Sequence, residues 1–132
     1  MAEVVHISVY IARPPEDVYA FASNPRNLPL WAEGLAQGKV TEAGPWWRIE
    51  TPSGAARVRF VEPNAFGVMD HDVELATGAV FHNPMRVLPN EAGSEFVFSL
   101  MRQPGMTDEQ YAVDRRAVEH DLQRLKEYLE SG

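Results

Sequence analysis

Apolar and polar residues alternate along most of this chain and change to helical spacing only near its end. From Val4 to Ala12, Val5, Ile7, Val9 and Ile11 alternate with His6, Ser8 and Tyr10, the pattern of a half-buried strand. Pro14-Pro15 stops it. Glu16 to Ala22 then reads as two helical turns, with proline tolerated at the start and Val18, Phe21 and Ala22 on the buried side. Asn24-Pro25 opens a second short piece through Leu30 and Trp31, which Pro29 makes irregular.

From Gly34 onward the turn residues space a β-meander. Gly44-Pro45, Pro52-Ser53-Gly54, Pro63-Asn64, Thr77-Gly78 and Asn90-Glu91-Ala92-Gly93 are turn signals at intervals of roughly 8 to 14 residues. Strands are predicted at 35–43, 46–51, 55–62, 66–75, 79–88 and 94–102. Within them Trp47 and Ile49, Ala56, Val58 and Phe60, Met69, His71, Val73 and Leu75, and Phe96, Phe98 and Leu100 take one face. Arg48, Glu50, Arg57, Arg59, Asp70, Asp72 and Glu74 take the other, so the sheet is covered on one side only.

The last segment, Thr107 to Gly132, predicts one long amphipathic helix. Tyr111, Val118, Leu122, Leu125 and Leu129 form its apolar stripe. Thr107 and Gln110 have capping-box spacing, and Asp108 and Glu109 suit the positive end of the helix dipole. The order is therefore strand, two short helices, six strands, long helix. A single terminal helix laid across a curved sheet leaves a wedge, a common place for a small molecule.

Composition narrows the function. A chain of 132 residues with a formal charge of −7 suits one domain, and the acidic balance argues against nucleic acid and against docking on an anionic membrane. There is no cysteine, which excludes disulfides, thiolate metal sites and cysteine nucleophiles. The opening MAEVVHISVY has no basic stretch before a long apolar core, and no segment reaches the ~20 apolar residues of a membrane span. A cytoplasmic protein without membrane insertion is expected.

Particular residues also resemble a known family. Ile11-Ala12-Arg13-Pro14-Pro15-Glu16-Asp17-Val18-Tyr19-Ala20-Phe21-Ala22, then Asn24-Pro25, Leu28-Pro29 and Trp31, resemble the START-like (SRPBCC) superfamily, in its polyketide cyclase/dehydrase branch. Gly67-Val68-Met69-Asp70-His71, Pro84-Met85-Arg86-Val87 and Pro104-Gly105-Met106-Thr107 extend the resemblance over the whole chain, residues 1–132 as a single domain. It implies an α+β helix-grip, a seven-stranded antiparallel sheet wrapped around the long C-terminal helix with two short helices after the first strand. It also implies an apolar cavity. Members of the superfamily bind lipids, sterols, polyketides, quinones or plant hormones, and some are cyclases or dehydratases.

His71 is the leading chemical candidate. It shares strand parity with Met69, Val73 and Leu75, so its imidazole faces the apolar side, either satisfied by a neighbouring carbonyl or free to bind a ligand or move a proton. Hairpin register decides its neighbours. A loop of two or four residues around Thr77-Gly78 would bring His82 to that face, whereas an odd loop brings Phe81, Asn83, Met85 and Val87; the second face is more apolar and is preferred. His82 and Arg86 then point outward, and His6 and His120 lie on the surface.

Asp70-His71-Asp72 cannot converge on one ion because adjacent strand residues face opposite ways, so no metal is expected. No nucleophile elbow or Gly-rich phosphate loop occurs, and no cofactor is expected. Trp31 could lid the cavity mouth, and an outward Trp46 hints at a partner surface or homodimer. The predicted ligand-binding set is Trp31, Trp47, Phe60, Met69, His71, Met85 and Phe98. The leading function is binding of a small hydrophobic, ring-containing ligand. The alternatives are a cofactor-independent cyclase, dehydratase or isomerase using His71, and a protein-interaction or chaperone-like module. The identity of the ligand is not written in the chain.

Overall fold

The computed structural model describes residues 1–33 and 35–131; Gly34, from which the meander is expected, and the helix end expected at Gly132 lie outside them. Strand β1 (Val4–Ile11) leads into α1 (Pro15–Ala22), a single 3₁₀ turn (Pro25–Asn27) and the four-residue α2 (Leu28–Trp31). Then come β2 (Gln37–Ala43), β3 (Trp46–Thr51), β4 (Gly54–Phe60), β5 (His71–Leu75), β6 (Val80–Asn83), β7 (Met85–Asn90), β8 (Gly93–Met101) and the long α3 (Asp108–Ser131).

Each boundary has a local cause. Pro15 occupies the first turn of α1, where a missing N–H costs nothing. Asn24 caps the 3₁₀ turn by accepting from the Arg26 N–H at 3.1 Å. At the start of α3 the reciprocal capping box forms. Gln110 N–H donates to Thr107 Oγ1 at 3.1 Å, and Thr107 N–H donates to Gln110 Oε1 at 2.9 Å.

Every strand pairing is antiparallel, in the orders β1-β8-β7 and β2-β3-β4-β5-β6. The helix-grip is present, but with eight strands across two sheets instead of the expected seven in one. The strand expected at 79–88 breaks at Pro84, which has no N–H to continue a ladder, into β6 on one sheet and β7 on the other. Asp70 Oδ1 compensates by accepting the Met85 N–H at 3.0 Å.

The strand expected at 66–75 is also shorter, beginning at His71. Asn64 shapes the chain before it, its Oδ1 accepting from the N–H of Phe66 and Val68 and its Nδ2 donating to the carbonyls of Glu62 and Val68. The chain still runs beside β7 through Met69 N–H to Met85 O (2.8 Å) and Val87 N–H to Gly67 O (3.0 Å). A Cβ on Gly67 would sit 2.4 Å from the Val87 carbonyl oxygen, so glycine is required there.

Helix α3 packs against β1, β8 and α2, burying Tyr111, Leu122, Leu125 and Leu129. The core continues across the inward faces of both sheets through Ile7, Phe96, Met85, Val87, Ile49, Val58 and Val73. Among the described residues no helix is long and apolar enough to cross a membrane.

Candidate ligand site

Strand register places several of the predicted site residues on the inward faces of the two sheets, while Trp31 lies on α2. Phe60 pairs with His71 and His71 with Asn83, while Trp47 pairs with Val58, Val58 with Val73, and Val73 with Phe81. On the other sheet Ile7 and Met85 both pair with Phe98. The β5–β6 turn closes through Leu75 N–H to Ala79 O at 2.9 Å, leaving a three-residue loop. The odd-length register therefore holds, with Phe81 and Asn83 on the face of His71.

His71 is buried, 3% exposed. Its Nδ1 lies 3.1 Å from the Met69 carbonyl, so Nδ1 carries the proton and donates it. Nε2 is then an acceptor, and Asn83 Nδ2 donates to it at a long 3.4 Å. The imidazole stacks on Phe60 at 4.7 Å and meets Phe98 edge-on at 6.5 Å. Burial lowers its pKa from 6.5 to about 4, against opposing contributions from the Met69 carbonyl and Asp70. The site thus presents a neutral acceptor held among aromatic rings.

The seven residues divide by exposure. Met69, His71, Met85 and Trp31 are buried, whereas Trp47, Phe60 and Phe98 face inward yet stay half-buried. Trp31 is an interior residue and not an exposed lid, packing edge-on against Phe96 at 5.8 Å. Its segment is held in place by α3, since Arg124 Nη2 donates to the Leu30 carbonyl at 2.8 Å and Nη1 pairs with Glu33. Trp47 lies under the Arg26 guanidinium, 5.0 Å away, and Arg26 is in turn fixed by Glu42.

Two shallow depressions, of about 350 and 390 Å³, open on the surface. Leu30, Arg124, Glu127, Tyr128 and Ser131 line the first, and Thr107, Glu109, Gln110, Val113 and Asp114 the second. Neither is lined by a predicted site residue.

His82 and Arg86 are exposed, as the preferred register requires, and His6 and His120 are also on the surface. Sequence reasoning missed that His82 meets two carboxylates on the outer face, Asp72 at 2.7 Å and Asp70 at 3.9 Å. The signal was available: Asp70 and Asp72 share a parity, and the pairing of Asp72 with His82 follows from the odd loop. Among the described residues no group of three or more His, Asp or Glu is placed to hold a metal. Trp46 points outward, but Arg57 and Arg59 cover its ring at 4.2 and 4.8 Å, which leaves it half-buried.

The family described as polyketide cyclase / dehydrase and lipid transport matches residues 2–130. The chain belongs to that family. Solved structures similar to this family member include the protein XoxI from Bacillus cereus, with 18% identity, 97% of this chain and 95% of that one covered, and a TM-score of 0.73. A START superfamily protein from Mycobacterium smegmatis is 10% identical over 97% of each chain, with a TM-score of 0.75. The Aha1 dimer from Colwellia psychrerythraea is 13% identical over 97% of this chain and 96% of that one, also at 0.75. Identities this low establish a shared fold. No curated protein matches the chain.

Proposed function

We propose that this family member binds a small, apolar, ring-containing molecule between the sheets and α3. The observation that carries the reading is the incomplete burial of Trp47, Phe60 and Phe98. They point to the inner side, where a close-packed core would bury them, and two of them, Phe60 and Phe98, pack against the neutral acceptor of His71. The family's description, which couples cyclases and dehydrases with lipid transport, agrees with a guest of this kind.

Native mass spectrometry of freshly purified protein tests it. A stoichiometric apolar adduct is expected, or a raised melting temperature with at least one member of a lipid, quinone and aromatic polyketide panel. Absence of both would overturn the reading.

A second reading, a cofactor-independent cyclase, dehydratase or isomerase, is favoured by one feature of His71. Its Nε2 lone pair is in the basic form at neutral pH, and its only partner among the described residues is the long contact to Asn83. Turnover of a bound polyketide-type substrate that disappears in His71→Phe would support this role.

A further inference from the structure

Among the described residues one buried side-chain polar atom has no hydrogen-bond partner, the indole Nε1 of Trp31. Trp31 is 3% exposed and lies in the apolar core against Phe96. The two buried polar side chains nearest in kind are satisfied. His71 has Met69 and Asn83, and Ser94 Oγ donates to the Arg13 carbonyl at 2.7 Å. An N–H buried without an acceptor costs folding free energy, so its retention at this place calls for a use.

The charges around it limit what that use can be. The buried polar and charged residues are His71, Ser94 and Asp121, with no lysine or arginine among them, and burial holds His71 neutral. Arg124, beside this segment, is partly exposed and already engaged by the Leu30 carbonyl and Glu33. A carboxylate or phosphate entering this interior would therefore lose its water with no free buried cation among the described residues to replace it. A neutral oxygen would meet one ready donor at Trp31.

Resting on the ligand-binding reading above, we propose that Trp31 Nε1–H is the anchoring donor for the guest, and that the guest is a neutral ring compound bearing a carbonyl oxygen. Fatty acids and other anionic lipids are excluded by the same site. Trp31 thereby sets specificity by hydrogen bonding, while Phe60, Phe98 and Trp47 supply apolar contact.

The test uses the whole chain labelled with ¹⁵N at its three tryptophan indoles, with the Trp31 signal assigned from Trp31→Phe. The probes are menadione, 2-methylnaphthalene and laurate; menadione meets no thiol here because the chain has no cysteine. Menadione should move the Trp31 Nε1–H resonance downfield and bind about tenfold more tightly than 2-methylnaphthalene. Trp31→Phe should lose that preference and keep 2-methylnaphthalene.

Equal binding of the two ring probes by the unaltered protein would overturn the proposal, as would preference for laurate. A Trp31 resonance unmoved by bound menadione would do the same, since the N–H would then be engaged with the Phe96 ring. The unaltered protein alone yields these results, so a Trp31→Phe chain that fails to fold does not protect the idea. Binding of 2-methylnaphthalene without carbonyl preference would leave the cavity reading standing and sink only this inference. Failure of all three probes to bind would overturn this inference, and the ligand-binding reading falls with it only when native mass spectrometry and the wider panel are also negative.

Discussion

Burial of His71 links one side chain to the pH dependence of the whole fold. With a pKa lowered to about 4 in the folded protein and 6.5 when unfolded, the unfolded chain binds the proton first as pH falls. Stability from this group is fully present above pH 6.5, declines between 6.5 and about 4, and is gone below both values. The most it can contribute over that window is about 3 kcal/mol. His71→Phe keeps much of the ring volume and removes the titration, so its stability should fall less steeply over this interval. At pH 7 the same change leaves the Met69 carbonyl without its donor, costing about 1–3 kcal/mol. Urea unfolding of both proteins at pH 7, 5.5 and 4.5 checks the pair of statements. The variant should be weaker at pH 7 and the two curves should approach each other on acidification. Parallel curves would show that His71 does not titrate as its burial requires.

The helix and the strand breaks carry the energetics at the scale of elements. Leu125 is fully buried in the stripe of α3, and Leu125→Ala should cost about 2–5 kcal/mol by chemical denaturation. Thr107→Ala, which removes one half of the capping box, should cost only about 1 kcal/mol. A loss at Thr107 as large as at Leu125 would mean that α3 is held by its end and not its stripe. Both features were legible in the chain, because spacing and capping are local. The inward parity of His71 and the odd β5–β6 loop were legible too, through the apolar pattern of Phe81, Met85 and Val87. The division of strand 79–88 was not, although Pro84 stood in plain view. Its effect depends on Asp70, fifteen residues before Met85, supplying an acceptor to the Met85 N–H and so making the break tolerable. Asp70→Ala should therefore cost about 1–3 kcal/mol by leaving that part-buried N–H unpaired. Burial of Trp31 was hidden for a related reason. Trp31 packs on Phe96 and α2 is tied to Arg124, both far along the chain, and no local pattern announces those contacts.

For the molecule as a whole, the proposed guest meets an inner face that is half-buried at Trp47, Phe60 and Phe98 and closed at its centre. Trp31, Met69, His71 and Met85 are buried, so a ligand reaching Trp31 must wait for some element to move. The shortest α-helical cover is α2, which also buries Leu28 and Trp31 in the core. It has four helical residues, one of them Pro29, and is held to α3 by the two Arg124 contacts, to the Leu30 carbonyl and to Glu33. Opening there leaves β1, β8 and the Leu122–Leu129 stripe of α3 in contact, so the fold survives the motion. When opening precedes binding, the observed association rate stops rising with ligand and levels off at the opening rate. Stopped-flow quenching of tryptophan fluorescence by menadione should show this plateau. Arg124→Ala removes both polar restraints on α2 and leaves the burial of Leu28 and Trp31 in place. With Arg124 partly exposed those restraints amount to about 1 kcal/mol, so the plateau should rise about fivefold. The melting temperature should fall by only a few degrees, since about 1 kcal/mol moves a domain of this size by roughly that much. A strictly linear dependence on menadione concentration, or a plateau unchanged in Arg124→Ala, would place the entrance elsewhere, on the side where Trp47 lies beneath Arg26.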